Sequence, residues 1–348
     1  MQSFVVATHS FAFGNSQALM LYLKRKGKQV LFIEQPLFAN PIVWSIGALD
    51  TLWQVVITKK KYDVFIGSNR LNAYLGILLK KIGLVRQVIY YSPDWVEKRF
   101  DNAILNKIYA WLDFQCVKEA DLIWNSSTIM KLDPMMKMRL KKGYPKSWLK
   151  KQIQLPDGCD LFPYIPLSKV DRYKIGFIGH LREGMGGELL IEAFKIIKKN
   201  VPQAKLILMG AGPKETALKR ESNGIEDIEF TGYVTIDQVY KQLKKCAIAV
   251  APYRASPENM SQFTDPGKVK VYLSVSLPTV ITRVPQIAFE LNDKKAGIAT
   301  DDDVDAFSKS CVKLLTDDVM LEEYRKNAYQ LAEKYSWDKN FDRALSFL

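Results

Sequence analysis

The chain contains two histidines, His9 and His180, and each closely follows a short apolar run, "FVVAT" and "KIGFIG". Those runs read as strands, so each imidazole falls at a strand end, one in each half of the chain. A third apolar run, "QVIYYS", leads into "PDW", which puts the carboxylate of Asp94 at a comparable place. The segment "FTDPGKVKVYLSVSLPTVIT" poses a different question. Asp265 is a good helix N-cap and Pro266 suits a first helical position. Gly267 bares the backbone, and Lys268 then puts a cation in the first turn, where the helix dipole favours negative charge. An anion bound at that terminus would account for the charge. Metal chemistry is not expected: two histidines and four scattered cysteines (Cys116, Cys159, Cys246, Cys311) offer no ligand spacing.

The elements that must hold these residues can be read along the chain. In the first half, strands "FVVAT", "QVLFIE", "DVFIG", "QVIYYSP" and "DLIWNS" alternate with helices such as "SQALMLYLKRKG" and "NAILNKIYAWLDFQCVKEA". In the second half, "KIGFIG", "AKLILMG", "IEFTG", "AIAVAPY", "PTVIT" and "AGIAT" alternate with helices in the same way. Continuous apolar strands separated by helices predict parallel sheets covered on both faces. The expected class is α/β, with two Rossmann-like doubly wound domains facing across a cleft and ligands beyond the carboxyl ends of the strands. The expected boundaries are 1–160 for the first domain, 161–173 for a proline-containing linker and 174–335 for the second. Residues 336–348 form a last helix returning to the first domain.

Length and composition fit this reading. The 348 residues, 48% hydrophobic, can fill two cores. The cysteine pattern suits a reducing compartment. The opening "MQSFVVATHS" reads as a strand rather than a leader, and no window reaches the ~18 apolar residues of a membrane span. A soluble, cytoplasmic protein is expected. Charge is uneven. Residues 1–160 carry 23 Lys+Arg against 12 Asp+Glu, a balance of +11, whereas residues 161–348 carry 27 against 25, a balance of +2. The first half should therefore face something anionic.

Several segments, in order, resemble a known family. "LPDGCDLF", "IGFIGHLREGMGGELLIEAF", "PQAKLILMGAGP", "FTGYVTIDQVYKQLKKCAIAVAPY", "DPGKVKVYLSVSLPTVIT" and "EKYSWD" are together similar to GT-B fold glycosyltransferases of the family 4 type (glycosyl transferases group 1). The resemblance covers nearly the whole chain and is strongest from about Leu155 onward. It implies a nucleotide-sugar donor, UDP- or GDP-linked, on the C-terminal domain and the acceptor on the N-terminal one, with no cofactor beyond the sugar nucleotide. By that resemblance Lys268, with the backbone near Gly267, meets the donor diphosphate. Arg182 and His180 support it, Gly232, Tyr233 and Val234 face the nucleobase, and Glu258, Thr264, Asp265 and Pro266 complete the donor group. Three positions depart from the family pattern. Its paired glutamates read Phe263 and Val271, its loop lysine reads Met185, and its small residues before the next strand read Ser276 and Leu277.

On the acceptor side an inverting enzyme would need a general base, for which Asp94 is the first candidate and His9 the second; in a retaining enzyme the two would instead hold donor or acceptor hydroxyls. Ser10, Gly14, Asn15 and Asn125 form the loops beside them. The implied activity is transfer of a hexose-type sugar to a glycan or lipid-linked acceptor in surface polysaccharide or glycolipid synthesis, metal-independent and retaining. A non-catalytic relative that binds a sugar nucleotide or glycan is the alternative, because the glutamate pair is absent. Two segments of the basic half suit an anionic membrane surface: residues 130–151, and residues 40–61 with Trp44 and Trp53. A peripheral place at the inner membrane face follows. No recognised nucleic-acid motif accompanies the basic charge, so no nucleic-acid partner is expected. Neither half has the G-x-G-x-x-G pattern of a dinucleotide oxidoreductase.

Overall fold

A computed structural model describes residues 2–9, 14–36, 41–93, 99–127, 133–255 and 265–348. The chain divides into two units, Met1–Pro156 with Asn340–Leu348, and Asp157–Lys339. In the first, strands β1 (Ser3–His9), β2 (Gln29–Gln35), β3 (Tyr62–Ser68), β4 (Val85–Ser92), β5 (Leu122–Asn125) and β6 (Gln152–Gln154) form one sheet in the order β2-β1-β3-β4-β5-β6. Helices α1 (Asn15–Arg25), α2 (Pro41–Ile57), α3 (Arg70–Lys81), α4 (Ala103–Glu119) and α5 (Pro134–Lys141) connect them. Every described pairing is parallel, as helical crossovers require. Strand order reverses beside β1, so the carboxyl ends of β1 and β3 border a topological switch point.

Polar side chains start the helices of this unit. Asn69 accepts the amide of Asn72 at the head of α3, and Asn102 accepts those of Ile104 and Leu105 at the head of α4. The core lies between sheet and helices, with Val5, Phe65, Val88 and Ile123 fully buried against Ile77 and Cys116. A buried polar network lies within it. The Asp113 carboxylate accepts from Arg139 (3.1 Å), Tyr90 (2.8 Å) and Tyr144 (2.9 Å), and Arg70 pairs with it at 3.4 Å. Burial alone would raise the Asp113 pKa. The Arg139 and Arg70 guanidiniums outweigh that and hold it below the ordinary carboxylate value.

The second unit repeats the plan with β7 (Lys174–Ile178), β8 (Lys205–Met209), β9 (Ile228–Phe230), β10 (Ile248–Ala251), β11 (Thr279–Thr282) and β12 (Gly297–Thr300), ordered β12-β11-β10-β7-β8-β9. Its helices are α6 (Gly187–Asn200), α7 (Glu215–Glu221), α8 (Ile236–Leu243), α9 (Gly267–Ser274), α10 (Ile287–Asp293), α11 (Val304–Thr316) and α12 (Asp318–Lys334). Successive strand residues serve opposite faces: Leu206 and Leu208 pack in one core, Ile207 and Met209 in the other. Burial on both faces is why the strands read as unbroken apolar runs. The segment 161–173, expected as a linker, packs within this unit. There Phe162 N donates to Ser274 O and Asp171 N to Lys245 O. The last helix, α13 (Trp337–Leu345), begins in the second unit, and from Asn340 onward it belongs to the first. In the first unit Asn340 holds the carbonyl of Pro156 and Phe341 packs on Tyr22.

Candidate active site

The second unit has its own switch point, between β7 and β10. These two strands pair only at Ile248 with Ile175 and Ala249 with Gly176, and then diverge. The hydroxyl of Tyr272, from α9, spans the opening. It accepts from Ile178 N (2.8 Å) and donates to Val250 O (3.1 Å). Two backbone groups that the splayed strands would otherwise orphan are thereby satisfied.

Lys268 stands four residues earlier on α9, one helical turn away and on the same face. Its amine reaches over the rings of Phe177 on β7 (4.6 Å) and Tyr253 after β10 (4.8 Å). The amine nitrogen is shut off from solvent and has no hydrogen-bond partner among the described residues. Burial first, and the neighbouring Arg182 charge second, push its pKa down to about 7. A desolvated cation without a counter-ion is costly, and the two ring faces offset only part of that cost. The loop is shaped around this group. Gly179 has φ +150, and a Cβ there would stand 2.6 Å from the Lys268 amine. Gly186 (φ +75) lets the next turn approach the carbonyl of Pro252, where a Cβ would overlap it at 1.6 Å. The buried amine stands at the amino end of a helix, where a phosphate oxygen can be bound.

The other expected donor residues divide around this point. Arg182 and His180 lie exposed on the loop after β7, and Arg182 is close enough to depress Lys268. Met185, at the place of the family's lysine, is buried in the core. Gly232 (φ +66) gives its carbonyl to Gly210 N (2.9 Å), Tyr233 next to it is 83% exposed, and Val234 packs against the core. Asp265 departs from expectation. The N-cap of α9 is Pro266, one residue later than expected. Its carboxylate is fully buried, pairs with Lys270 at 2.6 Å and accepts the amide of Asp157 at 3.0 Å. Asp265 therefore anchors the segment that delivers Gly267 and Lys268, and its charge is spent in the interior. Glu258 and Thr264 lie outside the described residues.

In the first unit His9 ends β1 at the other switch point. Its Nδ1 accepts from the side-chain amide of Asn72 (3.0 Å), with that of Asn69 at 3.4 Å. The Asn72 amide also donates to Ser68 O (3.0 Å), which fixes its orientation, since a flipped amide would set oxygen against oxygen. With Nδ1 accepting, the ring proton belongs on Nε2, and Nε2 is buried without a partner. Burial pushes the His9 pKa down to about 4. A neutral His9 with its proton on Nε2 fits the expected role of holding a hydroxyl better than that of second candidate base. Asn69, with φ 85, holds a backbone geometry that ordinary residues rarely adopt. Neither Asn69 nor Asn72 stood among the expected site residues. The signal was present, because "GSNR" follows a predicted strand just as "HS" and "PDW" do.

The other acceptor-side expectations fare unevenly. Asn15, at the start of α1, donates to the hydroxyl of Tyr91 (2.8 Å), and the amide of Gly14 donates to Gln17 (3.0 Å). Asn125 is fully buried and engaged by Arg139 (2.8 Å) and Gln152 (3.1 Å), so it belongs to the core network rather than to an acceptor loop. Ser10 and Asp94 lie outside the described residues. Part of the basic stretch 130–151 also turns inward: Met135, Arg139 and Tyr144 are buried. Among the described residues no group of three or more His, Cys, Asp or Glu gathers as metal ligands would.

Lys268 lies at a helix terminus beside the switch point of a doubly wound unit. Over that unit, residues 172–317 match the family described as Glycosyl transferases group 1. The second unit is thus similar to a group 1 glycosyltransferase domain. Two such six-stranded parallel units in one chain are the GT-B fold. Sucrose-phosphate synthase of Thermosynechococcus elongatus superposes with a TM-score of 0.74 at 14% identity, over 100% of this chain and 98% of that one. Anabaena HepE in complex with UDP gives 0.71, also at 14% identity, over 100% of both chains. Among curated proteins, an uncharacterised glycosyltransferase of Methanocaldococcus jannaschii is 25% identical over 169 residues, 48% of this chain and 45% of that protein. The match thus spans about half the length of that relative. The matched residues include Lys268, Arg182 and the Gly179 turn.

Proposed function

We propose that the chain transfers a hexose-type sugar from a nucleotide-sugar donor to a hydroxyl of a glycan or lipid-linked acceptor, in surface polysaccharide or glycolipid synthesis. The observation that carries the reading is the Lys268 amine, buried between two aromatic rings and without a hydrogen-bond partner among the described residues. Departure of a nucleoside diphosphate leaves negative charge on phosphate oxygens, and a preorganised cation in a dry site stabilises that charge strongly. Lys268 takes that place, and Arg182, on the loop after β7, adds a second cation. These two residues supply the leaving-group charge in this reading, without a metal. Anabaena HepE, of the same fold, is known in complex with UDP-glucose, which favours a uridine donor over a guanosine one. The sugar acceptor belongs to the first unit, where the Nε2–H of His9 offers a hydrogen bond to a hydroxyl oxygen. A neutral donor in that position removes no proton. That favours a retaining reaction, in which a protein base on the acceptor is dispensable.

The test is thermal stabilisation against nucleoside diphosphates and sugar nucleotides, in the native protein and in Lys268→Met. A ligand at 100 times its Kd adds about 2.7 kcal/mol. A shift with one nucleotide that vanishes in Lys268→Met is the expected result. An equal shift in both proteins would remove Lys268 from the site, and the reading with it.

A further inference from the structure

A costly backbone conformation stands beside His9. Asn69, at φ 85 and ψ 168, occupies a region that is otherwise nearly glycine's alone. Glycine would relieve the strain, so the strain points to a use for the asparagine side chain. Ala7 of β1 pairs with Gly67 of β3, which brings His9 and Asn69, each two residues further on, level at their strand ends. Gly67 also lets α3 lie close, since a Cβ there would stand 2.3 Å from the Ala73 amide nitrogen. Asn69 Oδ1 accepts the backbone amide of Asn72 at 3.0 Å, and Asn69 N donates to Tyr91 O at 2.9 Å. Asn72 is fully buried. Its side-chain amide donates to Ser68 O and to His9 Nδ1, both at 3.0 Å, while its Oδ1 has no partner among the described residues. A side chain that leaves its acceptor buried and idle is there for its two donors. His9 and Trp44 line a chamber of about 30 Å³, room for one oxygen atom. Their Nε2 and Nε1 atoms are both buried without a partner among the described residues. The ionisable groups among the chamber's described walls are Arg99 and Tyr109, which bond to each other at 3.2 Å, and no carboxylate joins them.

We infer that Asn72, held in place by Asn69, is a positioning residue: it keeps the His9 proton on Nε2, so that His9 and Trp44 present two N–H donors to a single oxygen of the substrate. The inference rests on the transfer reading above and assigns the polarity of its first-unit side. The group received there must offer a lone pair, as a hydroxyl does, and a group that can only donate, such as an ammonium, is refused. The choice of asparagine carries the argument. Aspartate has nearly the same size, but its carboxylate would accept from Nδ1–H and leave Nε2 bare, which is how a histidine is prepared as a base. Asparagine at this place does the reverse.

The chain has two histidines, so labelling histidine nitrogen in the full chain resolves both rings by NMR, and His180→Gln tells them apart. Two-bond nitrogen–proton spectra give the tautomer of each. Native His9 should show a protonated Nε2 and a bare Nδ1. Asn72→Asp should move the proton to Nδ1, and Asn72→Leu should leave a mixture of the two forms. Asn69→Gly should melt higher than the native protein, its strain relieved, while the Nε2–H share falls. Sugar release from the sugar nucleotide that the thermal shift selects supplies the second readout. Asn72→Asp should be about 10²-fold slower near neutral pH, as loss of one preorganised donor predicts. Its rate should then recover as pH falls, because an imidazolium carries a proton on both nitrogens. Neither the tautomer nor that recovery would follow from a merely structural role. A proton on Nδ1 of native His9, or Nε2–H retained in Asn72→Asp, would overturn the inference. So would an Asn72→Asp rate equal to the native one. If the Asn72 variants fail to fold, the native spectrum and Asn69→Gly still decide. Absence of sugar release by the native protein would sink the transfer reading and leave the tautomer lock to stand or fall on the spectra.

Discussion

At the scale of single residues, protonation states decide what this site can do. Lys268 and His9 are both pushed down by burial, to about 7 and about 4, with opposite consequences. A lysine whose folded pKa is lowered holds fewer protons than the unfolded chain between pH 7 and about 10.4, so stability rises with pH across that window. Removing the charge should therefore help the free protein. Lys268→Met is expected to melt higher than the native protein near pH 7 while losing the nucleotide shift, and differential scanning calorimetry checks this. For His9 the unfolded chain takes up its proton near pH 6.5 and the folded one only near 4, so its contribution to stability is lost as pH falls through that interval. In catalysis the result is a flat acid side. The pH profile of transfer should show no limb near 6.5, and His9→Ala should lower kcat by about 10²–10³, as the loss of one preorganised donor does. An acid limb near 6.5 that His9→Ala removes would restore His9 as a base.

At the scale of elements, the site depends on how α9 is held. Tyr272 closes the gap between β7 and β10, and the Asp265–Lys270 pair fixes the approach to the helix from inside. Breaking a buried pair leaves a bare charge and costs about 3–5 kcal/mol. Asp265→Ala should lose that much in urea unfolding, with nucleotide affinity falling as the helix start loosens. The strands of both units except β6 were legible in the sequence, because parallel strands buried on both faces read as apolar runs, whereas the short polar β6 (Gln152–Gln154) does not. Lys268 was legible too, since a cation after a Pro-Gly turn contradicts the helix dipole. Asp265 was misread because an N-cap and a buried ion pair call for the same residue type, and only Lys270 five positions on tells them apart. Asn125 was misread for a related reason: a polar strand end can face the ligand or the core, and the choice falls to Arg139, fourteen residues away. The tautomer of His9 was hidden, because it is set by Asn69 and Asn72, from another strand end.

At the scale of the whole molecule, charge and apolar surface belong to the same half. The first 160 residues carry a balance of +11 and the helices α2 and α4 with their exposed Trp53 and Trp111. No helix among the described residues is long and apolar enough to cross a membrane. The protein should float with vesicles containing anionic phospholipid and not with neutral ones. Raising salt should release it, and Trp53→Ser should weaken the attachment. The central claim concerns the other half, where the buried amine of Lys268 receives the donor diphosphate. Its most direct test is the proton count on binding, from calorimetry of the nucleoside diphosphate at pH 8 in buffers of differing ionisation enthalpy. An amine with a pKa of about 7 is mostly neutral at that pH and must be charged to hold the anion. Uptake close to one proton, absent in Lys268→Met, is the expected result. Binding without proton uptake would contradict the claim.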